Sequence, residues 1–409
     1  MKSTGPMPPH FAAADDGMLL IGGQRADELI AEAGGTPLFV YDNNIVGCQI
    51  TRFRAAMPYG IKLFYSVSAN PYPELLQFIG RYVEGFRVVS GGEMERLRKA
   101  ELSGITTTFA GPGKSDSELE MAIRAGVTIS LESRGEAERA IRIAEQLGIR
   151  PKLAVRVDPP FEIREDGSER AVAPNPFGFD AEDAPGVIRD LIEADVEFGG
   201  INIFTGSQWL DADALIKVHR QTIELAGKIA DAAGIRLCDL NLGGGFGTPC
   251  LAGELPLDVD KIARALNDSI CSSSNSLATT CVSLDLGRWL VSEAGVYLTR
   301  VIEKKESGGR TFLVTDGGGH HLIGATGPFG EPPRRNYPVA IANKFGAAVE
   351  EAVTVTGCLC TPFDVLGDDV GLPDAQPGDI VAIFCAGAYG LTGSPQQWES
   401  RPPAREVMV

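Results

Sequence analysis

Several marks of membrane, nucleic-acid and metal proteins are missing from this 409-residue chain. No apolar run approaches the ~18 residues of a bilayer span, and the first stretch, MKSTGPMPPHFAAADDG, lacks the apolar core of a signal peptide, so a cytoplasmic protein is expected. Basic residues are in the minority: 37 Lys and Arg stand against 54 Asp and Glu, a net charge of −17. With no basic block or basic amphipathic run, neither nucleic acid nor an anionic membrane is an expected partner. Histidine occurs only four times. The eight cysteines (48, 238, 250, 271, 281, 358, 360 and 385) lack the compact spacing of a disulfide framework. Neither Cys358 with Cys360 nor His320 with His321 is completed to a four-ligand set, so no metal is expected.

What is abundant is glycine, 49 residues, well above the roughly 7% of an average chain. That excess fits many tight strand-to-helix turns. From about residue 60 to 290, short β-rich apolar runs alternate with amphipathic helical stretches. The strand candidates are IKLFYSV (61–67), FRVVS (86–90), TTTFAG (106–111), VTISLE (127–132), KLAVRVD (152–158), INIFTG (201–206), CDLNLGG (238–244) and CVSLDLG (281–287). Ser115 to Glu118 and Ser133 to Glu136 read as capping boxes, each opening a helix after a strand. Eight βα units predict an α/β fold, a (β/α)8 TIM-type barrel over 41–290. Residues 1–40 and 291–409 read as short strands between Gly/Pro turns, and are expected to form an antiparallel β domain from both ends of the chain.

A barrel of this kind keeps its chemistry at the C-terminal ends of its strands. There, LNLGGGFG (240–247) lets backbone N–H groups approach a phosphate, although such a loop also serves as a plain tight turn. FTGSQ (204–208) adds Ser207 at the preceding strand end, and LDLGRWL (284–290) adds Asp285 and Arg288 at the next. Asp285 can face a protonated heterocycle or simply pair with an arginine.

With those segments in place, the chain resembles the fold-type III pyridoxal-phosphate decarboxylases, the group of diaminopimelate, ornithine and arginine decarboxylases. TPLFVYD (36–42), FYSVSANP (64–71), VVSGGE (88–93), FAGPGKSD (109–116), NLGGGFG (241–247), GRWLVSEAG (287–295), CLCTPFDVLG (358–367) and GAYG (387–390) carry the resemblance. DGGGHH (316–321), RRNYPV (334–339) and GAYGLTGSP (387–395) bring it nearer to the subgroup associated with exosortase and with carrier-protein-linked glutamyl substrates. The resemblance implies pyridoxal phosphate as cofactor. Its phosphate would lie on Ser207, Gly244, Gly245 and Tyr389 with help from Arg288, beside Phe204 and Phe246, and Asp285 would face the pyridine nitrogen. It further implies a homodimer with shared active sites, completed by Cys360 and Asp364 of CLCTPFD. The substrate would be an amino acid, free or carrier-linked, its carboxylate met by Arg334, Arg335 and Tyr337.

Against that resemblance one absence matters most. Relatives end the first strand in Lys-Ala-Asn, whose lysine holds the cofactor covalently, whereas this chain has Ser68-Ala69-Asn70. A second departure is Arg87, where relatives commonly carry Asp. Lys114 is expected to keep an ordinary loop role, and Lys62 to sit too far down its strand to replace the missing amine. Three readings stay open: a decarboxylase halted by the substitution, a divergent enzyme that holds its cofactor without a covalent link, or a binding protein without catalysis. Racemisation, on the same kind of barrel, is disfavoured by the presence of CLCTPFD.

Overall fold

The computed structural model describes residues 1–163, 169–170, 174–326 and 335–409. The chain forms two compact units: Ile50–Gly247 with Leu257–Gly287, and Met1–Gln49 with Thr248–Pro256 and Arg288–Val409.

The first unit is a closed parallel barrel. Its strands run Lys62–Ser66, Gly85–Val88, Thr106–Phe109, Thr128–Leu131, Lys152–Asp158, Glu197–Ile203, Asp239–Asn241 and Cys281–Leu286. The last pairs with the first, Asp285 opposite Phe64, so no edge remains among the eight. All eight strand candidates are therefore present. The sixth starts earlier than its apolar run implies, because Gly199 and Gly200 interrupt the pattern. The register shifts between Phe198 and Ile201, and a Cβ on Gly200 would lie 2.1 Å from the Asp239 carbonyl oxygen.

Helix starts follow the side-chain chemistry. Ser115 opens Asp116–Arg124 with a reciprocal capping box to Glu118. At Ser133 only half the expected box forms: its hydroxyl accepts from the Glu136 amide at 3.2 Å. The Glu136 carboxylate instead accepts from Lys114 Nζ (2.7 Å) and the Glu132 amide (2.8 Å), since a buried ammonium is a stronger claimant than an exposed cap amide.

The second unit is β-rich. Its long strand Gly295–Ser307 pairs antiparallel with Leu38–Tyr41, Ile380–Ile383 and Arg310–Thr315, around a core that includes Leu38, Val40, Val296, Leu298 and Phe384. The expectation of a purely antiparallel sheet is corrected at two places. Arg310–Thr315 runs parallel to Glu351–Thr356, and Arg405–Met408 runs parallel to Leu38–Tyr41. Each pair is joined by a long stretch of chain rather than a hairpin, which is what a parallel connection requires. Among the described residues no helix is long and apolar enough to cross a membrane.

Candidate functional site

The glycine loop leaves the seventh barrel strand and is shaped by two close neighbours. A Cβ on Gly244 would lie 1.8 Å from the Asp285 carbonyl oxygen; one on Gly245 would meet Trp209 Cδ1 at 2.7 Å, at a φ of +84°. Trp209 threads the loop: its amide donates to the Gly245 carbonyl and its own carbonyl accepts from the Gly247 amide, both at 2.8 Å. The glycines thus have a packing reason before any ligand is considered. Packing also fixes which amides stay available. Among the described residues, the N–H groups of Gly206, Ser207, Gly244 and Gly245 have no hydrogen-bond partner, nor has the Ser207 hydroxyl. These donors lie on the loops after the sixth and seventh strands, at the barrel end where anions are held. Phe246 is buried beneath them, and Phe204 is half-exposed, with the Arg156 guanidinium 5.9 Å from its ring.

Beside this loop the barrel interior carries a closed ring of polar side chains. Arg87 Nη1 donates to Asp285 Oδ2 and Arg87 Nη2 to Asn202 Oδ1 (3.0 Å). Asn202 Nδ2 donates to Asn241 Oδ1 (2.6 Å), and Asn241 Nδ2 returns to Asp285 Oδ1 (2.7 Å). Asn241 Oδ1 also accepts from the Gly243 amide at 2.9 Å, tying the ring to the glycine loop. Both oxygens of Asp285 are therefore engaged within the chain. The side chains of Arg87 and Asp285 are only 11% and 4% exposed, so this is an interior ion pair rather than a solvated one. The acid expected to face a cofactor nitrogen is paired with an arginine.

Ser68 sits in the short 3-10 turn Val67–Ala69 that ends the first strand. No lysine takes its place. Lys114 is 4% exposed and spends its ammonium on Gly111 O (2.8 Å), Ser130 O (2.9 Å) and Glu136 (2.7 Å). Lys62 lies at the opposite end of the strand, 3.9 Å from Asp239. Sequence reasoning missed Arg156, whose Nη1 donates to buried Glu132 at 2.8 Å, and burial pulls its pKa down.

It also missed His219, buried in the helix Ala212–Ala233 with both ring nitrogens unpartnered among the described residues, its ring 6.5 Å from that of Phe246. Burial lowers its pKa from 6.5 to about 4. The folded protein therefore refuses a proton that the unfolded chain accepts: its full contribution to stability is present above pH ~6.5 and is lost as pH falls towards ~4. The residue accounts for roughly 2 kcal/mol of acid destabilisation between about pH 7 and about pH 5. Urea midpoints of His219→Phe at those two pH values should show that much less loss than wild type; equal losses would disprove the assignment.

The remaining candidates belong to the β-rich unit. The Arg288 guanidinium lies 4.9 Å from the Tyr389 ring centre, and its buried Nε has no partner among the described residues. Tyr389 is held at φ +55°, a costly conformation for a tyrosine, next to Gly387, Ala388 and Gly390. Cys360 is exposed, its amide donating to Glu399 at 2.8 Å. Asp364, expected to reach a second subunit, is 4% exposed and accepts from the amides of Gly319 (2.6 Å) and Leu359 (2.8 Å), with burial raising its pKa. It clamps its own loop. Arg335 is exposed and 3.9 Å from Glu254; Tyr337 is part-buried, and burial pushes its hydroxyl pKa upward. Arg334 lies outside the described residues. His321 bridges the Tyr297 hydroxyl (3.0 Å) and Pro402 O (2.9 Å), against a fully buried His320 whose ring nitrogens have no partner among the described residues.

The fold is thus a (β/α)8 barrel with free amides, among the described residues, at two adjacent strand ends. A family model described as "Pyridoxal-dependent decarboxylase, pyridoxal binding domain" matches residues 44–292, and the chain belongs to that family. It is 33% identical to the L-glutamyl-[BtrI acyl-carrier protein] decarboxylase of Niallia circulans, over 91% of this chain and 88% of that protein. It is 29% identical to the diaminopimelate decarboxylase of Archaeoglobus fulgidus, over 97% and 93%. Among solved structures, diaminopimelate decarboxylase from M. jannaschii in co-complex with L-lysine superposes with a TM-score of 0.86 at 25% identity, covering 98% of this chain and 93% of that one. Pyridoxal phosphate is the cofactor of this family of lyases. The residues present offer its phosphate end the free amides; residue 68 is serine, and the Asp285 carboxylate is paired with Arg87.

Proposed function

We propose that this protein binds pyridoxal phosphate without a covalent link and acts, as a decarboxylase whose step at position 68 is impaired, on the α-carboxylate of an amino acid, free or carrier-linked. The observation that carries the reading is the set of amides at Gly206, Ser207, Gly244 and Gly245, which find no partner among the described residues and are available to a bound anion. The match to the carrier-protein glutamyl decarboxylase favours a glutamyl-type substrate presented on a carrier. Resemblance adds Arg288 and Tyr389 to the phosphate ligands, and a homodimer in which Cys360 serves the neighbouring subunit.

When bound, the cofactor supplies an electron sink for the carbon that loses its carboxylate. The chain's own contribution is to hold the phosphate through neutral amides and the Ser207 hydroxyl, a geometry that needs no lysine. A serine hydroxyl at 68 cannot exchange the aldehyde as an amine does, so turnover is slow while affinity survives. A second reading, a binding protein with no catalysis, is favoured by the occupied carboxylate of Asp285.

Calorimetric titration with pyridoxal phosphate and with pyridoxal tests the site. Loss of several amide–phosphate bonds is expected to weaken pyridoxal by about 100-fold. Equal affinities, or binding of neither, would sink the proposal. Carbon dioxide release from free glutamate and a glutamyl-loaded carrier then separates slow enzyme from binding protein.

A further inference from the structure

We infer that Arg87 is a positioning residue that holds Asp285 away from the ring of the bound cofactor, so that the pyridine nitrogen stays unprotonated. This rests on the reading that pyridoxal phosphate occupies the barrel end. The geometry is the closed ring described above: Asp285 Oδ2 accepts from Arg87 and Oδ1 from Asn241, while Asn202 joins Arg87 to Asn241. A carboxylate can favour a protonated heterocycle only through a lone-pair direction and a negative charge that are both available. Here the charge is balanced by the Arg87 guanidinium.

A proton placed on the ring nitrogen would stand as a second positive charge close to Arg87, with Arg156 a further cation nearby. In a site whose side chains are about nine-tenths buried that repulsion is poorly screened. The ring is also difficult to break open. Asn202 Oδ1 accepts from Arg87, and Asn241 Oδ1 accepts from both Asn202 and the Gly243 amide, so the four side chains hold one another in place. Two departures from the family pattern, Ser68 and Arg87, therefore act together. One removes the covalent anchor and the other weakens the electron sink, which leaves the phosphate cradle untouched.

The test reads the nitrogen itself. Pyridoxal phosphate isotopically labelled at the ring nitrogen, bound to the full-length protein, is followed by nitrogen NMR across the near-neutral range. The wild-type resonance is expected at the unprotonated position throughout. Arg87→Gln, which frees Asp285, should move it to the protonated position, and Asp285→Asn should leave it at the wild-type position. A protonated nitrogen in the wild type overturns the inference while leaving the binding reading intact, and so does a resonance indifferent to Arg87→Gln in a variant that still binds. If no bound resonance is found in the wild type, both this inference and the cofactor reading fail. A wild-type signal needs no folding variant, so misfolding of Arg87→Gln cannot rescue the idea.

Discussion

The double variant Ser68→Lys/Arg87→Asp is expected to release carbon dioxide from the protein's amino-acid substrate at least ~100-fold faster than wild type or either single variant. The reason is charge balance. Ser68 lies two residues beyond Ser66, the strand partner of Arg87, and Arg87 in turn holds Asp285. Lysine alone at 68 enters a region already cationic, where its amine is pressed toward the neutral form but competes with Arg87 for space and for acids. Aspartate alone at 87 leaves two interior carboxylates without a cation, at a cost of about 3 kcal/mol or more in stability. Made together, the changes give the lysine an acid and free Asp285 for the ring. The excess over the sum of the singles, taken as a double-mutant cycle, measures the coupling. Borohydride reduction followed by peptide mass analysis checks the chemistry independently: the double variant should carry the cofactor on the peptide containing residue 68, and wild type should not. Additive singles, or a double variant with bound cofactor and no gain, would show that more than these two positions separates this chain from its catalytic relatives.

How far the site was legible follows the range of the interactions. The barrel strands were readable because a buried strand imposes its apolar pattern locally, and the capping box at Ser115 because its partners are three residues apart. Arg87 could be recognised as a departure, but not its consequence: Asp285, Asn202 and Asn241 come from three other strands and meet it only when the barrel closes. Lys114 shows the same limit. Its ligands include two backbone carbonyls, which leave no trace in side-chain pattern, and its claim on Glu136 is what spoils the second capping box. The parallel pairings of the β-rich unit were hidden for a related reason, since a short alternating strand reads alike whichever direction its neighbour runs.

The glycine loop offers the sharpest test of packing against function, and Gly244→Ala is expected to destabilise the barrel unit by about 3 kcal/mol, roughly 6–12 °C in Tm. Backbone conformation is not the obstacle, since Gly244 does not have a positive φ; space is. The added methyl would lie 1.8 Å from the Asp285 carbonyl oxygen, a backbone atom at the end of the last strand that cannot swing away as a side chain can. Something must move, and the hydrogen bond from the Asp285 amide to Gly243 O (2.7 Å) makes the loop and the strand end move together. That shift carries the Asp285 side chain with it and disturbs its pairing with Arg87, so cofactor affinity should fall along with stability. Gly135→Ala provides the contrast. This glycine lies in the first turn of the helix Arg134–Leu147, an added Cβ there meets nothing within 4 Å, and the change should stabilise by about 0.5–1 kcal/mol. Chemical denaturation of both variants, with and without pyridoxal phosphate, distinguishes the cases. A Gly244→Ala protein as stable as wild type would mean that the loop is free of the last strand, and the link from glycine run to Asp285 and Arg87 would have to be abandoned.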